Sequence, residues 1–171
     1  IENVKQFGIT PVIAINKFVS DSDAEVAIIH EFANSQNTRV ALAEVWAKGG
    51  KGALELAQHV IDIVDENNAN FTPMYQWNMN VQEKIMAIAT KIYGADDVEY
   101  APLAKRNLRT IANLGLEHLP VCIAKTQKSL SDNAKLLGRP KNFTITVREI
   151  EIASGAGFLV PITGTMMRMP G

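Results

Sequence analysis

The sequence predicts an α/β fold, a mostly parallel sheet with flanking helices. Three observations carry the prediction. Two continuous apolar runs, residues 10–16 (TPVIAIN) and 38–45 (TRVALAEV), have the length and composition of strands buried on both faces. Each run is followed by apolar residues at helical spacing: Val26, Ile29 and Phe32 after the first, and Leu54, Ala57, Val60, Ile61 and Val64 after the second. The order strand, helix, strand, helix calls for a right-handed crossover and a parallel pair.

The remaining elements follow from local signals. Residues 1–8 (IENVKQFG) read as a short helix-like opening without an upstream partner. Asp21-Ser22-Asp23 supplies oxygen acceptors for the first N–H groups of the helix that carries Val26. Residues 67–78 are polar and hold Pro73, which predicts a loop or a short strand. Asn80 caps a helix whose stripe is Val81, Ile85, Ile88 and Ile92, and Gly94 ends it. Pro102 opens another helix through Ala104, Leu108 and Ile111 to Gly115. Residues 120–124 (PVCIA) read as a third buried strand, and a Lys/Ser/Asp-rich loop follows over 125–133. Residues 143–152 (FTITVREIEI) alternate, so one face of that strand is expected to be wetter. A glycine turn, Ser154-Gly155-Ala156-Gly157-Phe158, comes next. The stretch 66–73 is the one plausible hinge, which sets expected domains of 1–70 and 71–171.

Bulk properties exclude several classes. The chain has 171 residues, of which 47% are hydrophobic, enough for a full core and too many for wholesale disorder. A net charge of −1 gives no basic footprint for nucleic acid and no polybasic membrane patch. No apolar run approaches the roughly 20 residues that cross a bilayer. The single cysteine, Cys122, lies in an apolar run and is expected to be a small buried hydrophobe. Cytoplasm is the expected compartment. Residue 1 is Ile and the sequence closes on Met169-Pro170-Gly171, so a piece of a longer polypeptide is expected.

Chemistry concentrates at the ends of the first two strands. Trp46 precedes a glycine-rich turn, Trp46-Ala47-Lys48-Gly49-Gly50-Lys51-Gly52, which opens a helix. A flat ring beside free backbone N–H groups suits a planar, polar, anionic ligand. Asn16-Lys17-Phe18 closes the first strand, and ligands of open α/β sheets bind outside the carboxyl ends of strands. Adjacent strands lie about 4.8 Å apart. Phe18 and Trp46 could therefore face each other across a slot for one flat ring; the alternative is that one of them packs inward. Glu44 lies between Leu42 and Trp46, and strand alternation would put all three on one side. The turn at Gly49 and Gly50 lacks the hydroxyl residue of a phosphate-binding P-loop, and serves equally as an anion cradle or a flexible helix entry. His30, His59 and His118 have no ligand partner at metal-site spacing, and no Gly-x-Ser-x-Gly elbow exists.

Four collinear stretches, residues 11–18 (PVIAINKF), 46–52 (WAKGGKG), 125–133 (KTQKSLSDN) and 144–164 (TITVREIEIASGAGFLVPITG), resemble formate–tetrahydrofolate ligase over nearly the whole chain. The resemblance is to the C-terminal part of that enzyme. It implies a P-loop NTPase-like parent with a smaller C-terminal α/β subdomain. It also implies activation of formate by magnesium ATP to formyl phosphate, then attack by tetrahydrofolate to give 10-formyltetrahydrofolate. The family's folate-lining aromatic pair falls on Phe18 and Trp46, with an aliphatic neighbour on Leu42. Further expected site residues, from their places at the strand ends and in the glycine turn, are Asn16, Glu44, Lys48, Gly49 and Gly50, with Ser154, Gly155 and Gly157 on the nucleotide side. ATP, magnesium and a monovalent cation are the implied cofactors of the parent; tetrahydrofolate, formate and further copies of the chain are its partners. The family's Walker-type loop and formyl-phosphate-holding basic residues are absent from this sequence, which predicts that the chain is inactive by itself. Lys128 stands where the family loop has an aromatic residue. The rival readings are a flat-ligand binding module without chemistry and an oligomerisation domain.

Overall fold

The computed structural model describes residues 1–166; the terminal Met169-Pro170-Gly171 lies outside the described residues. The chain divides into two compact units, Ile1–Thr72 and a second that begins at Pro73.

In the first unit, the strands β1 (Val12–Asn16) and β2 (Arg39–Ala43) pair in parallel, with Ile15 opposite Leu42 and Asn16 opposite Ala43. A one-turn helix α1 (Glu2–Lys5) precedes them. The crossover is α2 (Asp23–Ser35), which starts with a full capping box: Ser22 accepts from the Glu25 N–H while the Glu25 carboxylate accepts from the Ser22 N–H. Hydrogen bonds from the Ser22 hydroxyl and N–H hold the Glu25 carboxyl below its usual value. The core here is small, built from Ile15, Val26, Ala33 and Val40. Of the expected α2 stripe, Val26 is buried, whereas Ile29 and Phe32 are exposed and Ala33 takes the inner position. After β2 the chain forms a one-turn helix α3 (Val45–Lys48), a tight 3-10 segment (Gly49–Ala53) and α4 (Leu54–Glu66). The apolar stripe on α4 forms as expected, yet none of its residues is buried; Leu54, Val60, Ile61 and Val64 are 48–68% exposed.

The second β-run is shorter than its apolar pattern suggests. β2 stops at Ala43, and Trp46 lies on α3. Strand alternation therefore does not extend to Glu44 or Trp46.

The second unit holds the larger core, centred on Ile85, Ile111, Ile145, Val147 and Leu159. Helix α5 (Val81–Ile88) begins with an Asn80–Glu83 capping box and runs into a π-turn (Ala89–Tyr93) closed by Gly94 in the left-handed region. Lys84 of α5 has no exposed surface, and its ammonium donates to the carbonyls of Glu117 and Leu119 at 2.7 and 3.2 Å. Desolvation lowers its pKa. A short strand β3 (Asp97–Tyr100), then α6 (Pro102–Asn113), β4 (Thr144–Ala153) and β5 (Phe158–Thr163) complete the unit. The order is β3-β4-β5, with the first pair parallel and the second antiparallel. The expected alternation holds in the first half of β4, and a register shift between Val147 and Glu149 interrupts it.

The expected strand at 120–124 forms as two isolated bridges to β5, Val121 to Leu159 and Ala124 to Ile162. The reason is visible in the ladder. Leu159 N–H donates to Pro120, Cys122 N–H to Leu159, Ala124 N–H to Pro161, and Thr163 N–H to Ala124. The missing rung is the one residue 161 would donate, and Pro161 has no N–H. Cys122 is exposed, contrary to the expectation of a buried thiol. On this extended segment side chains alternate, and Val121 takes the buried side.

Candidate functional site

The carboxyl ends of β1 and β2 are adjacent, so the residues just beyond them meet. Phe18 and Trp46 stand with ring centroids 6.5 Å apart and planes 18° from parallel. Both rings are about half exposed, at 52% and 56%. Neither packs inward, so the inward alternative is excluded. One flat ring between two others needs about 7 Å, twice a contact of about 3.5 Å. The 6.5 Å between centroids is the upper bound of the gap between the planes, so a filled sandwich needs the rings at least about half an ångström further apart.

Hydrogen bonds rather than core packing hold this pair. The Trp46 indole Nε1–H donates to the Lys17 carbonyl at 2.9 Å. The Phe18 N–H donates to Asp21 Oδ2 at 2.8 Å, and the Asp21 N–H returns to the Phe18 carbonyl at 3.1 Å. Lys17 Nζ meets Asp23 Oδ1 at 2.8 Å; that bond raises the lysine's pKa and lowers the carboxyl's.

Behind Trp46 the chain turns on glycine. Gly49 adopts φ +58° with ψ −147°, a region essentially restricted to glycine. Gly52 approaches the Glu44 backbone so closely that a Cβ would lie 2.5 Å from its carbonyl oxygen. The Glu44 N–H donates to the Gly52 carbonyl at 3.0 Å, which folds the turn back onto the end of β2. Gly50 is exposed, with open space around it. Glu44 and Lys48 pair with each other at 2.5 Å across one turn. Asn16 is exposed at the last position of β1. Leu42 is half-buried and lines a groove of about 590 Å³ along α2 with Lys17, Asp23, Val26 and His30. The structure thus brings together Phe18 and Trp46, and separately Glu44 and Lys48, while Leu42 packs on the small core and faces the groove along α2, whose lining includes neither ring.

Comparison with protein families decides the affiliation. A family model described as formate–tetrahydrofolate ligase matches residues 1–171. The chain belongs to the formate–tetrahydrofolate ligase family. The exposed aromatic pair at the strand ends is accordingly a feature of a ligase-family chain.

The other expected ligase residues lie in the second unit. Ser154, Gly155 and Gly157 form the hairpin turn between β4 and β5, closed by N–H groups of Ala156 and Gly157 on the Ala153 carbonyl. Gly157 sits at φ +70°, and Gly155 faces open space. Among the described residues, no group of three or more His, Cys, Asp or Glu is placed to share a metal ion. Nor is any helix there long and apolar enough to cross a membrane.

Sequence reasoning missed Asp21 and Gly52. Asp21 is visible there only as part of a helix-capping run, because Ser22 and Asp23 beside it carry the same signal. The clue is its position three residues after Phe18, the same spacing at which a capping-box carboxylate reaches back to an earlier N–H. Gly52 is hidden among the other glycines of the same turn.

Proposed function

We propose that the full-length protein carrying this chain joins formate to tetrahydrofolate at the expense of ATP, and that this chain supplies the folate-stacking wall. The near-parallel Phe18–Trp46 pair carries the reading. A pterin is a flat, polar bicycle, and it gains a ring contact on each side once the two planes part to about 7 Å. Such stacking contributes about 1–3 kcal/mol per ring. On this reading Leu42 is the aliphatic neighbour of the pair, as the family resemblance implies, and the Glu44 carboxylate, which pairs with Lys48, accepts from the amino-pyrimidine edge.

The chemistry has two stages. Formate attacks the terminal phosphoryl group of ATP, giving formyl phosphate and ADP. The secondary amine of tetrahydrofolate then attacks the formyl carbon; the C–O bond to phosphate breaks, phosphate leaves, and the amine proton passes to solvent or base. The rings fix the plane of the attacking substrate, which converts part of a bimolecular encounter into a positioned one. Magnesium, when bound, would neutralise the charge on the phosphates. The residues of this chain do not fit that ion: the turn Gly49-Gly50-Lys51-Gly52 offers no hydroxyl, and no carboxylate cluster faces a common point among the described residues. No phosphoryl step is therefore assigned to them, and the isolated chain is expected to be inactive. The assignment of Ser154, Gly155 and Gly157 to the nucleotide side rests on family resemblance and on the open space at Gly155. Cytoplasmic one-carbon transfer fits this reading.

A second role has its own support. The exposed apolar stripe of α4 is the kind of face that another subunit or domain covers. Calorimetric titration of the full-length protein with tetrahydrofolate tests the main reading. Trp46→Ala is expected to weaken binding roughly 5- to 150-fold, and unchanged affinity in that variant would defeat it.

A further inference from the structure

We propose that Asp21 is a positioning residue that sets both walls of the aromatic slot through one peptide unit. The proposal rests on the reading of Phe18 and Trp46 as the stacking pair. The Lys17 carbonyl and the Phe18 N–H belong to the same peptide plane. Its oxygen accepts the Trp46 indole N–H at 2.9 Å, and its N–H donates to Asp21 Oδ2 at 2.8 Å. A trans peptide is rigid, so fixing the N–H end fixes the direction of the C=O at the other. The same plane leads directly into the Cα of Phe18. One carboxylate therefore holds the acceptor that aims the indole and the backbone that aims the phenyl ring.

Two further contacts close the device. The Asp21 N–H donates to the Phe18 carbonyl at 3.1 Å, so residues 18 and 21 grip each other in both directions. The second carboxylate oxygen accepts from the Ser20 hydroxyl at 3.4 Å. The rings need such a brace because they are about half exposed and the core does not hold them. Without it, the Lys17–Phe18 plane can rotate, the indole loses its acceptor, and the two ring planes lose their common orientation. Asp21 never has to touch the ligand for this to matter.

The test uses the full-length protein. Tetrahydrofolate affinity is measured by calorimetry, KM for tetrahydrofolate and for ATP by steady-state kinetics, and fold integrity by melting temperature. D21A is expected to weaken tetrahydrofolate binding and raise its KM about tenfold, equivalent to about 1.4 kcal/mol. KM for ATP and the melting temperature are expected to stay unchanged. D21N keeps an acceptor at the same reach and is expected to recover most of the affinity. D21E moves the carboxylate by one methylene and is expected to behave like alanine, so the D21N and D21E pair carries the test even where D21A fails to fold. Wild-type affinity in both D21A and D21E, with binding weakened in W46A, would overturn the role of Asp21 and leave the slot standing. A loss that D21N does not recover also overturns it. Unchanged binding in W46A overturns the slot reading, and the role of Asp21 falls with it.

Discussion

Replacing Gly52 by alanine is expected to disable the aromatic slot from behind. The added Cβ would lie 2.5 Å from the Glu44 carbonyl oxygen, 2.6 Å from its carbonyl carbon and 3.1 Å from the Val45 nitrogen. All three are backbone atoms, so no flexible side chain can swing away. Reaching 3.0 Å, below which real Cβ contacts essentially never fall, takes a shift of about 0.5 Å, and ordinary contact at 3.4 Å takes about 0.9 Å. Glu44 and Val45 lead directly into Trp46, so the displacement passes to the indole. Its 2.9 Å bond to Lys17 has little slack. Lengthened by the same amount, it falls at or beyond the limit of a useful hydrogen bond. Overpacking of this kind costs about 1–3 kcal/mol of stability. Losing one stacking face would weaken tetrahydrofolate binding by about 1–3 kcal/mol, roughly 5- to 150-fold. Calorimetry reads the binding and thermal melting reads the stability. Gly50→Ala provides the contrast, since its Cβ meets nothing within 4 Å and its melting temperature should hold. A Gly52→Ala variant that binds tetrahydrofolate normally, or a Gly50→Ala variant that melts as early, would refute the steric argument.

Further outcomes follow from the second unit. Lys84→Met keeps the apolar stem but leaves the Glu117 and Leu119 carbonyls without their donor, so chemical denaturation should show a loss of about 1–3 kcal/mol for each group left unsatisfied. Desolvation holds both Lys84 and Lys125 below the ordinary lysine value. Between their folded values and the ordinary lysine value of about 10.4, the unfolded chain binds more protons, so stability should rise with pH there. Tyr100, pushed up to about 12 by burial and by Asp97, acts oppositely: above its ordinary value of about 10 the folded chain holds the proton, and stability should fall. Denaturation midpoints across alkaline pH should show the rise blunted in Lys84→Met and the fall blunted in Tyr100→Phe. The exposed Cys122 thiol should react with a thiol reagent in native buffer, without denaturant.

The elements legible in the sequence are those with a strong local signal. Ser22 and Asn80 each stand three residues before a glutamate, and both capping boxes form. The apolar runs around Ile15 and Val40 pair in parallel because a helix of 13 residues joins them. Three features escape such a reading. β3 has four residues, two of them acidic, too few for a period to register. β5 contains Pro161, and proline argues against a strand until a neighbour shows that its missing N–H falls on a broken rung. Cys122 escapes because an apolar run in sequence does not say which of its alternating side chains faces inward.

The candidate site divides along the same line. That Phe18 and Trp46 could meet follows from strand adjacency, since Asn16 and Ala43 are register partners and each ring lies two or three residues beyond; that neither packs inward is seen only in the structure. The route by which they meet does not follow. β2 ends early because the chain must fold back through Gly52 onto Glu44, and that contact is long enough in sequence to escape any periodic pattern. Alternation would have given Trp46 a direction fixed by the sheet. The observed α3 takes that direction away from the sheet and gives it to one hydrogen bond on Lys17. A ring aimed by a single acceptor is only as well placed as the peptide that carries it. The orientation of the slot therefore depends on the loop after β1 at least as much as on the two aromatic residues that form its walls.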